Sequence, residues 1–357
     1  MQKHLLLFLF LALAANPSMS QNQNVNKVDN PQMLSHGERR LIQLPMVDDL
    51  MPLKCDFHLH TVYSDGAVWP TIRVDEAWRD GLDAIAITDH IEYRPKAKYT
   101  VGDLNTSYNI AREAVGDKDL LLVKGTEITR GKPDGGHVNA LFITDANKLE
   151  DKDMQVQIDR AVAQNAYLIW NHPGWAIDTC KMFKPNEKWI KEGKIQAVEV
   201  FNEQEYYPRV STWVRDLGLA PMACSDAHAP IQMIYNQGIS RPITIVFAKD
   251  KTLPALREAL DARRTVAWFN NQMVGSATWL EKLFRACVSI DKANKAYQLT
   301  NASDVIFCIL VNGRSVILPA RTTIIVGLSK EQKIEDPLSI EISNLHTSEN
   351  TNLQITI

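Results

Sequence analysis

The sequence has little of several features that mark large classes of protein. Its 357 residues include only five cysteines, an odd number and too few for a disulfide scaffold. Lys and Arg total 39 against 42 Asp and Glu, so the formal net charge is only -3. The chain therefore lacks the general basic surplus typical of proteins that bind long nucleic acid, although a local basic patch is still allowed. A hydrophobic share of 45% excludes a disordered chain and a polytopic membrane protein.

The sequence also lacks an apolar run of about 20 residues, the length that spans a bilayer. One shorter run, residues 5–15, follows Lys3 and His4 and precedes the small-residue triplet Ser18-Met19-Ser20. A basic start, about ten apolar residues and a small-residue cleavage site are typical of a secretory signal peptide. We therefore predict a signal peptide over residues 1–20 and an exported, periplasmic protein with no stable membrane insertion after cleavage. The five scattered cysteines are expected to be reduced, buried thiols.

Polarity patterns divide the rest of the chain into three parts. Residues 21–45 are rich in Asn and Gln and lack apolar periodicity, which predicts a linker or arm outside the core. From 46 to 275, short apolar strands, among them Tyr167–Trp170 and Ala220–Cys224, alternate with helical segments, which predicts a mostly parallel sheet, open or closed into a barrel. Residues 276–357 carry β-rich segments with turn signals about every 8–12 positions and no convincing helix. That pattern predicts a small all-β, Ig-like sandwich domain.

Polar residues cluster where the predicted strands end. Functional side chains of parallel sheets and barrels gather at the carboxyl ends of the strands. Five predicted strands end in possible metal ligands, and a sixth run begins with one: His58-x-His60 with Asp65 beyond, Asp89-His90, Glu127, Asn171-His172, Ser225-Asp226-Ala-His228, and His137. Taken singly, each has an ordinary alternative, such as a solvated strand face, a helix cap or a surface carboxylate. Ser225 beside His228 could also be a nucleophile with its base, but the G-x-S-x-G elbow of such hydrolases is absent.

Taken together, these groups favour a metal centre over the ordinary alternatives. Burying six imidazoles and several carboxylates at one rim is costly unless a cation compensates them, and divalent metal ions do so. A mixed imidazole and carboxylate set without thiolate suits zinc, manganese or iron. At about three or four protein ligands per ion, two or three ions would be held by nine candidate ligands: His58, His60, Asp65, His90, Glu127, His137, His172, Asp226 and His228.

The order of these motifs resembles that of the PHP (polymerase and histidinol phosphatase) superfamily. The resemblance covers about residues 50–230, through Asp56-Phe-His58-Leu-His60, Tyr63-Ser-Asp65-Gly, Thr88-Asp89-His90, Gly125-Thr-Glu127, Asn171-His172-Pro173 and Ser225-Asp226-Ala-His228. It implies an α/β fold, a distorted seven-stranded (β/α) barrel with a trinuclear metal centre. The chain is also similar to two-domain exported PHP proteins of Bacteroides-type bacteria, which add a C-terminal β-domain.

The resemblance also implies which residues share an ion. The first ion would be held by His58, His60, Glu127 and Asp226. Glu127 would bridge to a second ion held by His137 and His172. The third would be held by Asp65, His90 and His228.

The activity that the resemblance implies is metal-dependent hydrolysis of a small phosphorylated substrate. A water between two ions would attack phosphorus in line. Glu127 is expected to act by bridging the ions, and either His90 or His228, if not metal-bound, or a metal-bound water would give a proton to the leaving oxygen. Two alternatives stay open: an exported nuclease or nucleotide phosphatase, and a non-catalytic metal-containing binding protein. The small net charge argues weakly against long nucleic acid as a partner.

Several side chains in the loops after the strand ends could contact substrate. Five of them are cations: Arg94, Lys96, Lys98, Arg130 and Lys132. They could bind phosphate, but for any one of them we expect a solvated loop charge. Trp175 could line the pocket, and ordinary aromatic packing is its simpler interpretation.

Overall fold

Short strands and short helices alternate along most of the chain, as the apolar pattern predicts. A computed structural model describes residues 39–235, 240–293, 296–311, 313–327 and 337–357. The predicted signal peptide and the predicted linker up to residue 38 lie outside the described residues. The helices are α1 (Pro70–Arg79), α2 (Thr106–Val115), α3 (Met154–Ala163), α4 (Lys184–Lys191), α5 (Pro208–Leu217), α6 (Ile231–Ile234), α7 (Leu253–Asp261) and α8 (Ala277–Cys287).

Eighteen strands are described, and most begin or end within two or three residues of a predicted apolar segment. They are β1 (Met51–Asp56), β2 (Ala84–Ile87), β3 (Leu121–Thr129), β4 (His137–Leu141), β5 (Tyr167–Trp170), β6 (Ala197–Asn202), β7 (Glu205–Tyr206), β8 (Ala220–Cys224), β9 (Ile243–Ala248), β10 (Thr265–Phe269), β11 (Gln272–Gly275), β12 (Val288–Ala293), β13 (Ala296–Asn301), β14 (Phe307–Val311), β15 (Arg314–Leu318), β16 (Thr323–Gly327), β17 (Ser339–Ser348) and β18 (Thr351–Thr356).

Local sequence explains where several helices begin and end. Helix α1 begins at Pro70, because a missing N–H costs nothing in a first helical turn. Helix α3 is preceded by Asp153, whose carboxylate accepts the N–H of Gln155. Helix α5 ends at Gly218, in the left-handed conformation that glycine adopts without strain. These signals keep each helix to about three turns or fewer, so the chain returns quickly to the sheet.

The direction of the strands gathers their ends at one rim. Strands β1, β2 and β3 run parallel to one another, and so do β5, β6 and β8. Strand β4 lies between the two groups and pairs antiparallel with both β3 and β5. All six parallel strands therefore point the same way, and their carboxyl ends share one rim. Because β4 runs the opposite way, its first residue, His137, lies at that same rim, opposite Thr129 of β3.

Thr244 links the two ends of this row of strands. It lies on β9, which pairs antiparallel with β1. The Thr244 hydroxyl accepts the N–H of Ala223 at 2.9 Å and donates to the Ala223 carbonyl at 3.0 Å, on β8. The described residues show no backbone ladder between β8 and β9. The seven-stranded (β/α) barrel that the resemblance implies therefore stays a prediction, whereas the mixed α/β sheet is confirmed.

The C-terminal segment departs from the predicted pattern in one element. Residues 277–287 form helix α8, so the expectation of no helix after residue 275 is wrong. Its buried residues, Leu280, Leu283, Phe284 and Cys287, have helical spacing, and the Ser276 hydroxyl accepts the N–H of Trp279 as a cap. The strands after it are antiparallel among themselves: β12, β13 and β16 form a separate sheet, and β14, β15, β17 and β18 join the large one. The Ig-like sandwich and its boundary at residue 276 stay predictions.

The end of the predicted arm, residues 39–45, includes a buried position. Ile42 is only 8% exposed and belongs to the main hydrophobic core, so excluding residues up to 45 from the core is wrong for this position. The N–H of Gln43 donates to Asp304 at 2.8 Å, which ties the same stretch to the C-terminal segment. Residues 39–357 form one compact unit.

Two further expectations concern the thiols and the membrane. All five cysteines are free, and four of them are buried, as expected for reduced thiols. Within the described ranges, no helix combines the length and the apolar character needed to cross a bilayer.

Candidate metal centre

All nine predicted ligands converge at the rim where the parallel strands end. Their nitrogen and oxygen atoms form four overlapping groups, each with its ligand atoms within 4.8 Å of one another. The groups are His60, Asp65, His90 and His228; His58, His60 and Asp226; His58, Glu127 and His172; and His90, Glu127 and His137. No predicted ligand lies apart from the rest. The grouping is compatible with the three ligand sets that the resemblance implies, since each set falls in one group or in groups that share a residue.

The His58-x-His60 motif follows β1 and directs both imidazoles the same way. Two residues separate them, so their side chains share one face of the extended chain. Their Nε2 atoms are 3.1 Å apart, and Asp226 Oδ1 lies 3.2 Å from His58 Nε2 and 3.0 Å from His60 Nε2. Two imidazole lone pairs at that separation repel unless a proton or a cation lies between them. This corner of the site therefore favours a bound cation.

Glu127 lies at the centre of the cluster and is completely buried. Its Oε1 accepts the side-chain amide of Asn171 at 2.7 Å and lies 3.1 Å from His137 Nδ1 and 3.3 Å from His58 Nε2. Its Oε2 lies 2.6 Å from His90 Nδ1. Burial would raise the pKa of Glu127, but the surrounding imidazoles outweigh burial and hold that pKa well below its usual range. The carboxylate is therefore ionised and in reach of two ligand groups.

Several buried polar atoms of the cluster lack an aligned hydrogen bond in the described structure. They are Asp65 Oδ1, Glu127 Oε2, His172 Nδ1 and Asp226 Oδ1. A buried polar atom without a partner is unfavourable, and metal coordination is one way to satisfy it. Imidazole nitrogens and carboxylate oxygens are also the donor types that zinc and related divalent ions accept. The residues present therefore fit a transition-metal centre.

The imidazoles differ in how easily they take up a proton. Burial, with the nearby His90, lowers the pKa of His60 to about 4. Burial also lowers the pKa of His90, but Glu127 and Asp65 outweigh burial and raise it to about 10. Without metal, protons therefore occupy some rings of the cluster and not others. Metal binding would compete with those protons, so it should be weaker at low pH.

Some functional residues are not among those that the motif spacing predicts. Glu199 is completely buried on β6, and its carboxylate contacts His58 Nδ1 at 2.9 Å. Asp89, named only as part of a strand end, accepts hydrogen bonds from the Thr61 and Ser64 side chains and holds the loop after His60. The sequence does contain one indication of Glu199: it is a single carboxylate within the apolar run AVEVFN, where a buried charge is unusual unless it is paired.

Ser225 is also placed by a carboxylate. Its hydroxyl donates to Asp56 Oδ2, and its N–H donates to Asp56 Oδ1 at 3.1 Å. The buried Arg241 guanidinium lies 3.3 Å from the same carboxylate. The Ser225 hydroxyl is therefore engaged in holding two strand ends together, and its Oγ bonds to a carboxylate rather than to His228. This does not support a role as a nucleophile.

A cavity of about 420 Å³ opens onto the cluster. Six of the nine predicted ligands line it: Asp65, His90, His137, His172, Asp226 and His228. Tyr93 and Trp175, each about half exposed, and Glu203 form more of its wall. Trp175 therefore lines the pocket rather than packing in the core. Glu203 is a further residue that the motifs do not indicate, and its φ of 48° is unusual for a side chain other than glycine.

In the described part of the chain, no Lys or Arg lines this cavity. The five loop cations considered above lie elsewhere. Lys96 donates to the carbonyl of Asp65 at 2.7 Å, and Lys132 donates to the carbonyl of His172 at 2.9 Å. Both side chains thus support loops that carry predicted ligands, from outside the pocket. Positive charge for an anionic substrate would come from bound metal or from protonated imidazoles of the cavity wall, such as His90.

Comparison with known proteins places the chain in a family. No family model matches the sequence. An uncharacterized protein of Methanocaldococcus jannaschii is 24% identical over 197 residues, which are 51% of this chain and 84% of that protein. Among solved structures, an amidohydrolase of Chromobacterium violaceum is 17% identical, covering 49% of this chain and 88% of its own, with a TM-score of 0.38.

A two-domain protein of Bacteroides vulgatus, containing a predicted PHP-like metal-dependent phosphoesterase, is far more similar. It is 39% identical, with a TM-score of 0.85, over 90% of this chain and 98% of its own. Identity at that level over nearly the whole of both chains indicates common descent. The chain described here therefore belongs to the PHP superfamily, in the group of two-domain proteins with a PHP-like metal-dependent phosphoesterase domain.

Proposed function

We propose that the protein is a metal-dependent phosphoesterase that hydrolyses a small phosphorylated substrate. The convergence of nine His, Asp and Glu side chains at one rim, six of them lining one cavity, carries the proposal. Family membership supports a metal-dependent hydrolase, and the Bacteroides vulgatus protein supports phosphoesters as the substrate class. Two or three divalent ions, zinc, manganese or iron, would be held by the sets His58, His60, Glu127 and Asp226; Glu127, His137 and His172; and Asp65, His90 and His228.

The chemistry proposed for the site divides between the ions and the chain. When bound, such ions activate water and neutralise charge on phosphoryl oxygens. The chain holds Glu127 in place through Asn171 and holds His90 through Thr129, whose hydroxyl is 2.6 Å from His90 Nδ1. His90 and His228 both line the cavity. They are our candidates for giving a proton to the leaving oxygen, from whichever ring is not coordinated.

The cavity supports a small substrate rather than a polymer. A volume of about 420 Å³ lies within the range of small-molecule sites, about 300–1,000 Å³. Nucleic-acid backbones are usually followed by rows of basic side chains, and none lines this cavity among the described residues. We therefore propose a small phosphorylated molecule as the partner and expect no binding of long nucleic acid. A mononucleotide is small enough to remain within the proposal.

Metal analysis and a substrate screen test this function. Purified full-length protein should contain two or three transition-metal equivalents by elemental analysis. It should hydrolyse at least one member of a panel of sugar, amino-alcohol and nucleotide monophosphates. Glu127→Ala should lower that activity by more than about 100-fold, because loss of partners that only support the ligands already costs about 10–100-fold. The matched control is Glu113→Ala, an exposed glutamate on α2. A folded wild type that takes up no metal would refute the proposal.

We also propose that the protein is exported and cleaved after Ser20. The N-terminal pattern of the sequence supports this proposal. N-terminal sequencing of protein recovered from the periplasmic fraction should begin at Gln21. Recovery of the uncleaved chain from the cytoplasm alone would contradict it.

A further inference from the structure

Strand β6 carries a buried carboxylate that touches two predicted ligands at once. Glu199 has no exposed surface. Its Oε1 lies 2.9 Å from His58 Nδ1, and its Oε2 accepts the backbone N–H of His172 at 2.8 Å. The side-chain amide of Asn202 also donates to Oε2, at 2.9 Å. Each oxygen of one carboxylate therefore serves a different part of the metal cluster.

The first contact selects the tautomer of His58. A carboxylate can only accept, so the ring must carry its hydrogen on Nδ1. In the neutral ring, the form that binds metal, Nε2 then has the lone pair, and this atom faces the cluster, 3.2 Å from Asp226 Oδ1 and 3.3 Å from Glu127 Oε1. The hydrogen bond at one ring nitrogen thus decides whether the other can bind metal.

The second contact holds the backbone of His172. Its φ of 25° lies in the left-handed region, which is unfavourable for residues other than glycine. Such a conformation persists only where its surroundings enforce it. The Glu199 carboxylate fixes the N–H of His172, and the Lys132 ammonium fixes its carbonyl at 2.9 Å. The imidazole on this backbone reaches the cluster, with Nε2 3.6 Å from Glu127 Oε1.

We infer that Glu199 is a positioning residue that orders ligands of two different metal ions through its two oxygens. The inference rests on the proposed metal centre, in which His58 belongs to the first ion and His172 to the second. Hydroxyl groups contact the Nδ1 atoms of two other imidazoles of the cluster, Thr129 at His90 and Ser64 at His60, and neither hydroxyl contacts a second imidazole in the described structure. Loss of Glu199 should therefore weaken two ions together and spare the third.

Replacement by glutamine separates the two contacts. Glu199→Gln keeps the size of the side chain but presents one acceptor and one donor in place of two acceptors. Either the amide donates to His58 Nδ1, which moves the ring hydrogen to Nε2, or it leaves the His172 N–H without an acceptor. Either outcome removes one of the two ordering contacts, and no rotation of the amide restores both.

Zinc titration of the full chain against a competing chelator gives the first test. Glu199→Ala, which removes both contacts, should lower the affinity of two of the ions by about 10–100-fold, whereas Glu199→Gln, which removes one contact, should lower that of at least one. Thr129→Val, which removes the hydroxyl beside His90, should lower the affinity of only one ion. Uptake of zinc by wild type with unchanged affinities in Glu199→Ala, or with only one ion weakened in Glu199→Ala, would overturn this inference alone. A folded wild type that binds none of zinc, manganese and iron would refute the proposed function, and this inference with it.

Nitrogen NMR of the imidazole rings gives a second test that needs neither metal nor activity. In metal-free wild type, His58 should carry its hydrogen on Nδ1. A His58 ring protonated only on Nε2 would overturn the inference, even if Glu199→Gln failed to fold. Where Glu199→Gln folds, its His58 signals should shift, or the amide of His172 should lose protection from hydrogen exchange.

Discussion

Replacing Arg73 by methionine should destabilise the protein by about 3–5 kcal/mol, the usual cost of breaking a buried charged pair. Arg73 lies on α1 with no exposed surface. Its guanidinium donates to the carbonyls of His60, Ala227 and Ala229 at 2.8, 2.6 and 3.0 Å, and to Glu76 Oε2 at 2.8 Å. Methionine fills a similar volume but leaves three carbonyls and one carboxylate without this donor.

The expected cost follows from those four acceptors. An unpaired buried acceptor costs about 1–3 kcal/mol, and the values do not add fully because the structure relaxes. Glu76 keeps part of its bonding, since its Oε1 accepts the N–H of Ile231 at 2.9 Å. In the double variant Arg73→Met/Glu76→Gln, the change at Glu76 should therefore reduce the free energy of unfolding by less than Glu76→Gln does in the wild-type background. The reason is that the double variant leaves neither charge of the pair without its partner.

Urea unfolding of the full chain in excess chelator measures the effect. Chelator matters because a bound ion would add its own binding free energy to the stability of the folded state. The matched control is Arg215→Met: Arg215 is about half exposed and pairs with its exposed neighbour Asp216, so we expect a change within about 0.5 kcal/mol. If Arg73→Met costs no more than this control, the role assigned to the buried guanidinium is wrong.

Three further changes test other parts of the fold. Burial would raise the pKa of Asp83, but Lys54 outweighs burial and holds that pKa below its usual range. The stabilisation that ionised Asp83 gives the folded state is therefore present above about pH 4 and is lost as the pH falls below that value. Asp83→Asn should therefore be about 1–3 kcal/mol less stable at pH 7 and lose less stability than wild type between pH 7 and 3; equal losses in urea titrations would contradict this. Thr244→Val should cost about 1–2 kcal/mol, because it removes both hydrogen bonds to β8, and a melting temperature equal to that of wild type would contradict the link. Gly66→Ala should disturb the Asp65 loop and weaken zinc binding, because its Cβ would lie 2.6 Å from the backbone of His60; unchanged zinc affinity would show that the loop can shift.

The periodicity of the sequence predicts most of the strands that build the site. Strands Tyr167–Trp170 and Ala220–Cys224 have the predicted bounds, because short apolar runs bounded by turn residues leave little choice of conformation. Strand ends then predict which side chains meet, and the structure brings all nine predicted ligands together. Their binding of ions stays a prediction.

Other features depend on pairing that no local pattern encodes. His137 reaches the rim only because β4 runs antiparallel to its neighbours, and a strand pattern carries no direction. The role inferred for Glu199 depends on its contacts with His172 and His58, which lie 27 and 141 positions away in the sequence. Ile42 is buried by packing against distant elements, in a stretch whose polar composition indicates a linker. Helix α8 has helical spacing, but β-rich segments on both sides conceal an element of 11 residues.

The pairing of β11 with β17 limits how the protein can be divided. Met273 and Val274 of β11 pair in parallel with Leu345 and His346, about 70 residues further along the chain, and Met273, Val274 and Leu345 are completely buried. A chain ended after residue 275 would expose a hydrophobic strand edge of the kind that promotes aggregation. The segment after 275 therefore covers this strand edge, and a truncation to residues before 276 should be read as a loss of folding before it is read as a loss of function.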